Sequence, residues 1–201
     1  MRNTAVREDT RDVILDASHR LLVRFGYKKM TMDDIAKEAG IGKGTIYLYF
    51  RSKEEVALSC ADRFTVSVQE ELKRIATSTG SPAERLRRML IHRVLMRFDH
   101  AQPFAQSLDD IFMVLRAAFL VRRERWLQLE EQIFAEVLVE GNVLNAFKVE
   151  DVNRTARALL LATNSLMPFS LSPQELGARE DVERKAGDIV DLVLNGVLRR
   201  A

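Results

Sequence analysis

Residues 39–50 read AGIGKGTIYLYF. Three glycines set around Lys43 and Thr45 suggest a cradle for phosphate, yet Tyr47, Tyr49 and Phe50 follow at once. A Walker loop places Gly five residues before its Gly-Lys pair and Ser or Thr directly after the lysine, on a turn that leaves a strand. Here those two positions are Lys37 and Gly44, and the preceding TMDDIAKEA has helical spacing. The alternative is a helix-turn-helix, with 33–39 as its first helix, Gly40, Ile41 and Gly42 as the turn, and 43–50 as the recognition helix. At about 100° per residue, Ile46 and Phe50 share the face that the first helix covers. Gly44, Thr45 and Leu48 then project the opposite way, with Lys43, Tyr47 and Tyr49 along the flanks. Glycine lets backbone approach a groove, threonine bonds base edges or phosphate, and leucine meets a thymine methyl. The tyrosine hydroxyls reach phosphates on either side. The plainer reading makes Tyr47 and Tyr49 the rim of a small core, rings packed and hydroxyls wet.

Helical signals extend in both directions. Val13, Ile14, Ala17, Leu21, Leu22 and Phe25 recur at spacings of three and four, and Gly26 is placed to end that helix. Thr31 and Asp34 form a capping box for the next, and Ser52 with Glu55 another for a fourth helix running to about Ala76. Ser81, Pro82 and Glu84 open a helix to about Asp99. Residues 104–145 read as helix with one break near 107–109, and Asn145 can take the left-handed cap position. Asp151 caps a helix to about Met167, and a last one spans 179–200. No period-two alternation is long enough for a strand, so the fold is predicted to be all-α.

The combined pattern of helix, turn, Tyr-x-Tyr-Phe and Ser-Lys-Glu-Glu in TMDDIAKEAGIGKGTIYLYFRSKEEV, within a segment from about Arg11 to Val56, resembles the TetR family of bacterial transcriptional regulators. The resemblance implies an N-terminal three-helix DNA-binding domain over 1–51 and a helical ligand-binding and dimerisation domain over 52–201, with helix 52–76 as connector. It makes Thr31 a phosphate contact, Lys43 and Thr45 major-groove contacts, and Tyr47, Tyr49 and Lys53 clamps on the DNA backbone. Gly42 stands where such proteins often carry a capping Ser, and Leu48 where His is common. The implied partners are a double-stranded DNA operator, a small-molecule effector and a second copy of the chain. A repressor follows from family habit; an activator of the same fold, or a helical interaction protein without DNA binding, are the alternatives.

Composition sets limits. The 201 residues carry 31 Lys plus Arg against 29 Asp plus Glu, and the slight positive excess lies within residues 1–55. A hydrophobic content of 47% is enough for a packed core. Cys60 is the single cysteine, which excludes an intrachain disulfide or a Cys-rich metal site and suits a reducing cytoplasm. The charged N-terminus lacks a signal-peptide run, and no later stretch is apolar enough to span a membrane. His19, His92 and His100 make no metal-spacing motif, and no Ser or Cys nucleophile pairs with a base, so neither a cofactor nor catalysis is expected. The stretch RRERWLQLEEQ from Arg122 reads as a solvated or pair-forming helix face.

In the C-terminal part, small and apolar residues at helical spacing suggest a dimer face: Ala158, Leu161, Ala162, Ser165 and Phe169 on one helix, Ile189, Leu192, Val193, Gly196 and Val197 on the next. The same spacing fits a core within one chain equally well. His92, Met96, Phe112, Met113, Phe119 and Asn164 are the candidate lining of a mainly apolar effector pocket. Asn164 is the strongest clue among them, because a buried amide is costly unless bonded.

Overall fold

The structure, a computed structural model, describes residues 2–105, 108–167 and 173–197. Every regular element in it is helical: α1 Arg2–Lys29, α2 Met32–Glu38, α3 Lys43–Tyr47, α4 Lys53–Ala76, α5 Pro82–Ala101, α6 Leu108–Val143, α7 Val152–Ala162, α8 Pro173–Leu176 and α9 Arg179–Val197. Short 3-10 turns occupy Gln102–Phe104 and Asn164–Leu166. Among the described residues no helix is long and apolar enough to cross a membrane. The chain divides into two compact units, residues 1–64 with 106–122, and residues 65–105 with 123–201.

In the first unit α1 packs on α2 and α2 on α3. Ile14, Ala17, Leu21 and Leu22 are buried as their spacing requires, whereas Val13 and Phe25 are exposed and Leu15 takes a core place instead. The buried stripe extends toward Leu15 and Ser18 and away from Val13, and Phe25 lies with its ring 4.9 Å from the Arg24 guanidinium. The helical path of α1 breaks at Gly26, whose φ of 74° favours glycine.

Thr31 and Asp34 close the expected capping box at α2: the Thr31 hydroxyl accepts the Asp34 N–H and the Asp34 carboxylate accepts the Thr31 N–H. At its other end Ile41 N–H donates to Ala36 O and Gly40 N–H to Lys37 O, the paired bonds of a Schellman cap. Gly40, with φ of 67°, takes the left-handed position that this cap demands. The recognition helix is shorter than predicted, ending at Tyr47, because Leu48 and Tyr49 donate three residues back, to Thr45 O and Ile46 O, and so tighten the last turn.

In the second unit α5 packs against α9, and α7 also meets α9. Their shared core includes Val94, Leu95, Phe98, Leu166, Met167, Leu176, Val182 and Ala186. Helix α5 starts with the Ser81, Pro82, Glu84 signal, Ser81 and Glu84 forming a full capping box. Helix α7 opens on its Asp151 cap but stops at Ala162, five residues before the predicted end. There the Thr163 hydroxyl donates to Leu160 O and the chain tightens into the 3-10 turn.

Helix α6 ends in a second Schellman cap. Asn145 has φ of 56°, as its placement suggests, while Ala146 N–H donates to Gly141 O and Asn145 N–H to Asn142 O. The cap folds Phe147 back over Gly141 so closely that a Cβ there would lie 2.0 Å from the ring. Gly141→Ala is therefore expected to destabilise the protein by about 1–3 kcal/mol, the overpacking cost of one forced methyl exceeding the gain in helix propensity. Thermal denaturation checks this, and Phe147→Leu in the same chain should recover part of the loss.

Candidate nucleic-acid interface

Of the residues that the spacing of the helix-turn-helix placed outward, Gly44 and Leu48 are exposed and Thr45 is half-buried. Ile46 and Phe50 are fully buried, and Leu48, at 81% exposed, is the most open of the large apolar side chains described. Gly44 is exposed beside it, with no atom within 4 Å of where its Cβ would stand. Tyr47 is exposed, whereas Thr45 and Tyr49 are half-buried. A solvated leucine between a threonine and two tyrosines has no stabilising role in the isolated unit. Gly42 precedes the helix with extended backbone and no side-chain cap, the consequence of lacking a hydroxyl there.

Three of the expected phosphate or groove contacts already have intramolecular partners. The Lys43 ammonium lies 2.8 Å from Asp33, and that hydrogen bond and charge hold its pKa above the ordinary lysine value. Both side chains are well exposed, so the pair is weak enough for a phosphate to compete with Asp33. The Thr31 hydroxyl serves the α2 cap. Lys53 is the most committed of the three: its ammonium donates to Tyr27 O at 3.2 Å and Met30 O at 3.3 Å and sits 4.5 Å from the centre of the Tyr27 ring. It ties the start of α4 to the segment joining α1 and α2, and these two bonds use two of its three N–H groups.

Sequence reasoning missed the partners of Lys53. Tyr27 is buried and donates its hydroxyl to Glu54 at 2.9 Å. Burial first, then the bond to Glu54, push its phenol well above the usual tyrosine range. The signal available was Tyr27 directly after the helix-ending Gly26, a position that turns a side chain back under the first helix.

The candidate effector residues divide between the units. Phe112, Met113 and Phe119 belong to the first, where Phe112 and Phe119 stack edge to face at 5.2 Å and Met113 is 70% exposed. His92, Met96 and Asn164 belong to the second, with His92 half-exposed, 3.5 Å from Glu71, and Met96 half-buried. Only Asn164 of the six lines the cleft found within the second unit, and its side-chain oxygen accepts from Arg93.

That cleft is built on charges. Arg93, Arg97 and Glu130 are all buried. Arg93 Nε donates to Glu130 at 2.5 Å, Arg97 pairs with the other carboxylate oxygen, and Arg93 also reaches Thr163 and Leu160 O. The Arg122 stretch forms pairs, as one of its two readings has it, but it is not solvated throughout: Arg122 pairs with Asp62 and Glu124 with Arg157, while Glu130 is 1% exposed and Trp126 and Leu127 are buried with it. The clue lay in register, since Arg93 and Arg97 fall between Leu86, Leu90, Val94 and Phe98, and Glu130 between Leu127, Ile133 and Phe134, on faces otherwise apolar.

Of the dimer candidates, Ala158 and Ser165 are exposed, Leu161 is 49% and Leu192 75% exposed, and Ala162 and Val193 are half-buried. Ile189 packs partly on the core of its own unit. Ser165 lies in the 3-10 turn beyond α7, Gly196 lies within α9, and Phe169 falls outside the described residues.

The family described as "Bacterial regulatory proteins, tetR family" matches residues 14–60. The Bacillus subtilis HTH-type transcriptional regulator YhgD is 39% identical over 75 residues, so this match spans 37% of either chain. The fatty acid metabolism regulator protein of the same organism is 24% identical over 197 residues, covering 92% of this chain and 93% of that one. The fold is shared with SmeT, the repressor of a Stenotrophomonas maltophilia multidrug efflux pump, whose structures superpose with TM-scores of 0.69 alone and 0.68 in complex with triclosan, at 20% identity in each case. Those structures cover 95% and 96% of this chain, which in turn covers 91% and 93% of theirs. The capped α2, the Gly40 turn, the exposed face of α3 and the family match over these same elements lead to one conclusion: the chain belongs to the TetR family of bacterial transcriptional regulators.

Proposed function

We propose that this regulator is a cytoplasmic, homodimeric repressor that binds a double-stranded operator through α3 and is released by a small-molecule effector acting on its second unit. The observation that carries the reading is the exposed Leu48 between Tyr47 and Tyr49 on a buried Ile46–Phe50 anchor. An apolar side chain kept in water at the centre of a recognition helix gains its contact when it meets a base edge. The repressor sense draws support from SmeT, and so does a small organic effector, since SmeT forms a complex with triclosan. Helix 52–76, shared by both units, is the connector through which the effector acts.

Gel-shift on genomic fragments, followed by sequencing of those retained, tests the reading. The Tyr47→Phe, Tyr49→Phe double variant should lose about 1 kcal/mol per hydroxyl, nearly equally on all duplexes. Leu48→Ala and Thr45→Ala should instead relax sequence preference, at about 1–3 kcal/mol per lost base contact. Wild-type affinity and preference in all three variants would remove α3 as the reading surface and leave the helical interaction protein.

A further inference from the structure

We propose that the Arg93, Arg97 and Glu130 cleft of the second unit binds the carboxylate of a small organic acid whose apolar chain lies against Trp126 and Leu127. The inference deepens the reading of this unit as the effector-responding part and rests on it. Its ground is a charge count. Two guanidiniums, Arg93 and Arg97, are buried against one carboxylate. A structural ion pair needs one arginine per glutamate, and a second buried cation that must share the same carboxylate is only partly compensated.

The excess shows at Arg97. Its pKa falls to about 10, driven first by burial and further by the nearby Arg93, even though Glu130 pulls the other way. Of the five N–H groups of Arg97, one goes to Arg93 O and one to Glu130, which leaves donor capacity for solvent or a guest in the partly open cleft. The planar fork of an arginine is matched by a carboxylate, which accepts two parallel N–H bonds and supplies the missing charge. Asn164, held by its oxygen to Arg93, keeps its amide N–H groups for the same guest.

Size and polarity fit that chemistry. The cleft is partly open and holds about 20 Å³ of space, where one water needs about 10–15 Å³, so it admits a head group rather than a whole molecule. Trp126 and Leu127 give an apolar wall along which a chain can leave. A free inorganic anion would use the arginines and waste that wall, which is why the occupant is an acid with an apolar tail.

Hexanoate is the probe, with hexanamide and inorganic phosphate as controls, and binding to the full-length protein is measured by calorimetry. Hexanoate should bind, and both controls should bind at least roughly tenfold more weakly, hexanamide because it loses the charge-assisted contact and phosphate because it loses the apolar wall. Arg97→Gln leaves Arg93 and Glu130 as a balanced pair, so it should stay folded by circular dichroism and lose hexanoate affinity by about tenfold or more. Glu130→Gln should act in the opposite direction, binding hexanoate about tenfold or more tightly, with the ligand recovering part of its lost melting temperature. Opposite signs at two residues of one cluster are not produced by loosened packing. Equal binding of hexanamide or phosphate, unchanged affinity in Arg97→Gln, or weaker binding in Glu130→Gln would overturn the proposal. Operator affinity with and without hexanoate separates it from the repressor reading: hexanoate bound with no effect on operator keeps the site and removes release through it, whereas release by a neutral compound with no hexanoate binding removes the site and keeps release.

Discussion

Glu130→Gln should lower stability by about 3–5 kcal/mol, the usual cost of removing one partner from a buried ion pair. Glu130 is the only carboxylate with which Arg93 and Arg97 pair among the described residues, and all three lie within 7% of full burial. Glutamine keeps the shape and one acceptor but cancels the charge, so two guanidiniums remain without an anion. For a chain of this length the melting temperature should fall by about 6–20 °C. The pH dependence gives a second readout. Burial alone would raise the Glu130 pKa, yet Arg97 and Arg93 hold it below its usual 4.5. A depressed carboxylate contributes stability above its unfolded value and loses it as pH falls through the folded one. The wild-type protein should therefore lose stability as pH drops below about 4.5, and Glu130→Gln should lack that component of the acid loss. Replacing Arg93, Arg97 and Glu130 together by apolar residues of similar size should cost far less than Glu130→Gln alone, because no charge is left stranded. If Glu130→Gln melts with the wild type, the cluster is hydrated and the charge argument fails.

Leu192→Glu should convert the proposed dimer into a folded monomer. Leu192 is 75% exposed within its own chain on α9, which packs against α7, the helix that carries the exposed Ala158 and Leu161. A charge there disturbs nothing inside the monomer, where exposed substitutions change stability by about 0.5 kcal/mol or less. Buried against a two-fold partner it has no counter-charge and should cost the dimer about 3–5 kcal/mol. Sedimentation should show monomer with wild-type helix content. Operator affinity should drop with it, because two recognition helices about one DNA turn apart no longer bind as a unit. Ala162→Glu, at a half-buried position, should act in the same direction with some loss of monomer stability. A Leu192→Glu protein that stays dimeric would move the interface off this face.

What the sequence determined by itself is the local part of the design. Thr31 with Asp34, Ser81 with Glu84, Asp151, Gly40 and Asn145 each set a helix end through bonds that reach no more than a turn along the chain, and each end stands where those residues put it. The outward face of the recognition helix was legible for the same reason: with Ile46 and Phe50 fixed as the buried side, helical geometry leaves Leu48 outside. Tertiary structure decided which charges go inside. Arg93, Arg97 and Glu130 come from α5 and α6, 33 and 37 residues apart in sequence, and only their meeting makes burial affordable. Seen singly, each is an ordinary charged residue on a helix. Lys53 shows the same limit at the first unit, since its spacing marks it as a clamp while its ammonium lies on carbonyls of a segment more than twenty residues away. Caps and faces follow from backbone periodicity, which is a property of neighbours; the partner of a long charged side chain is set by what the fold brings within reach of its end.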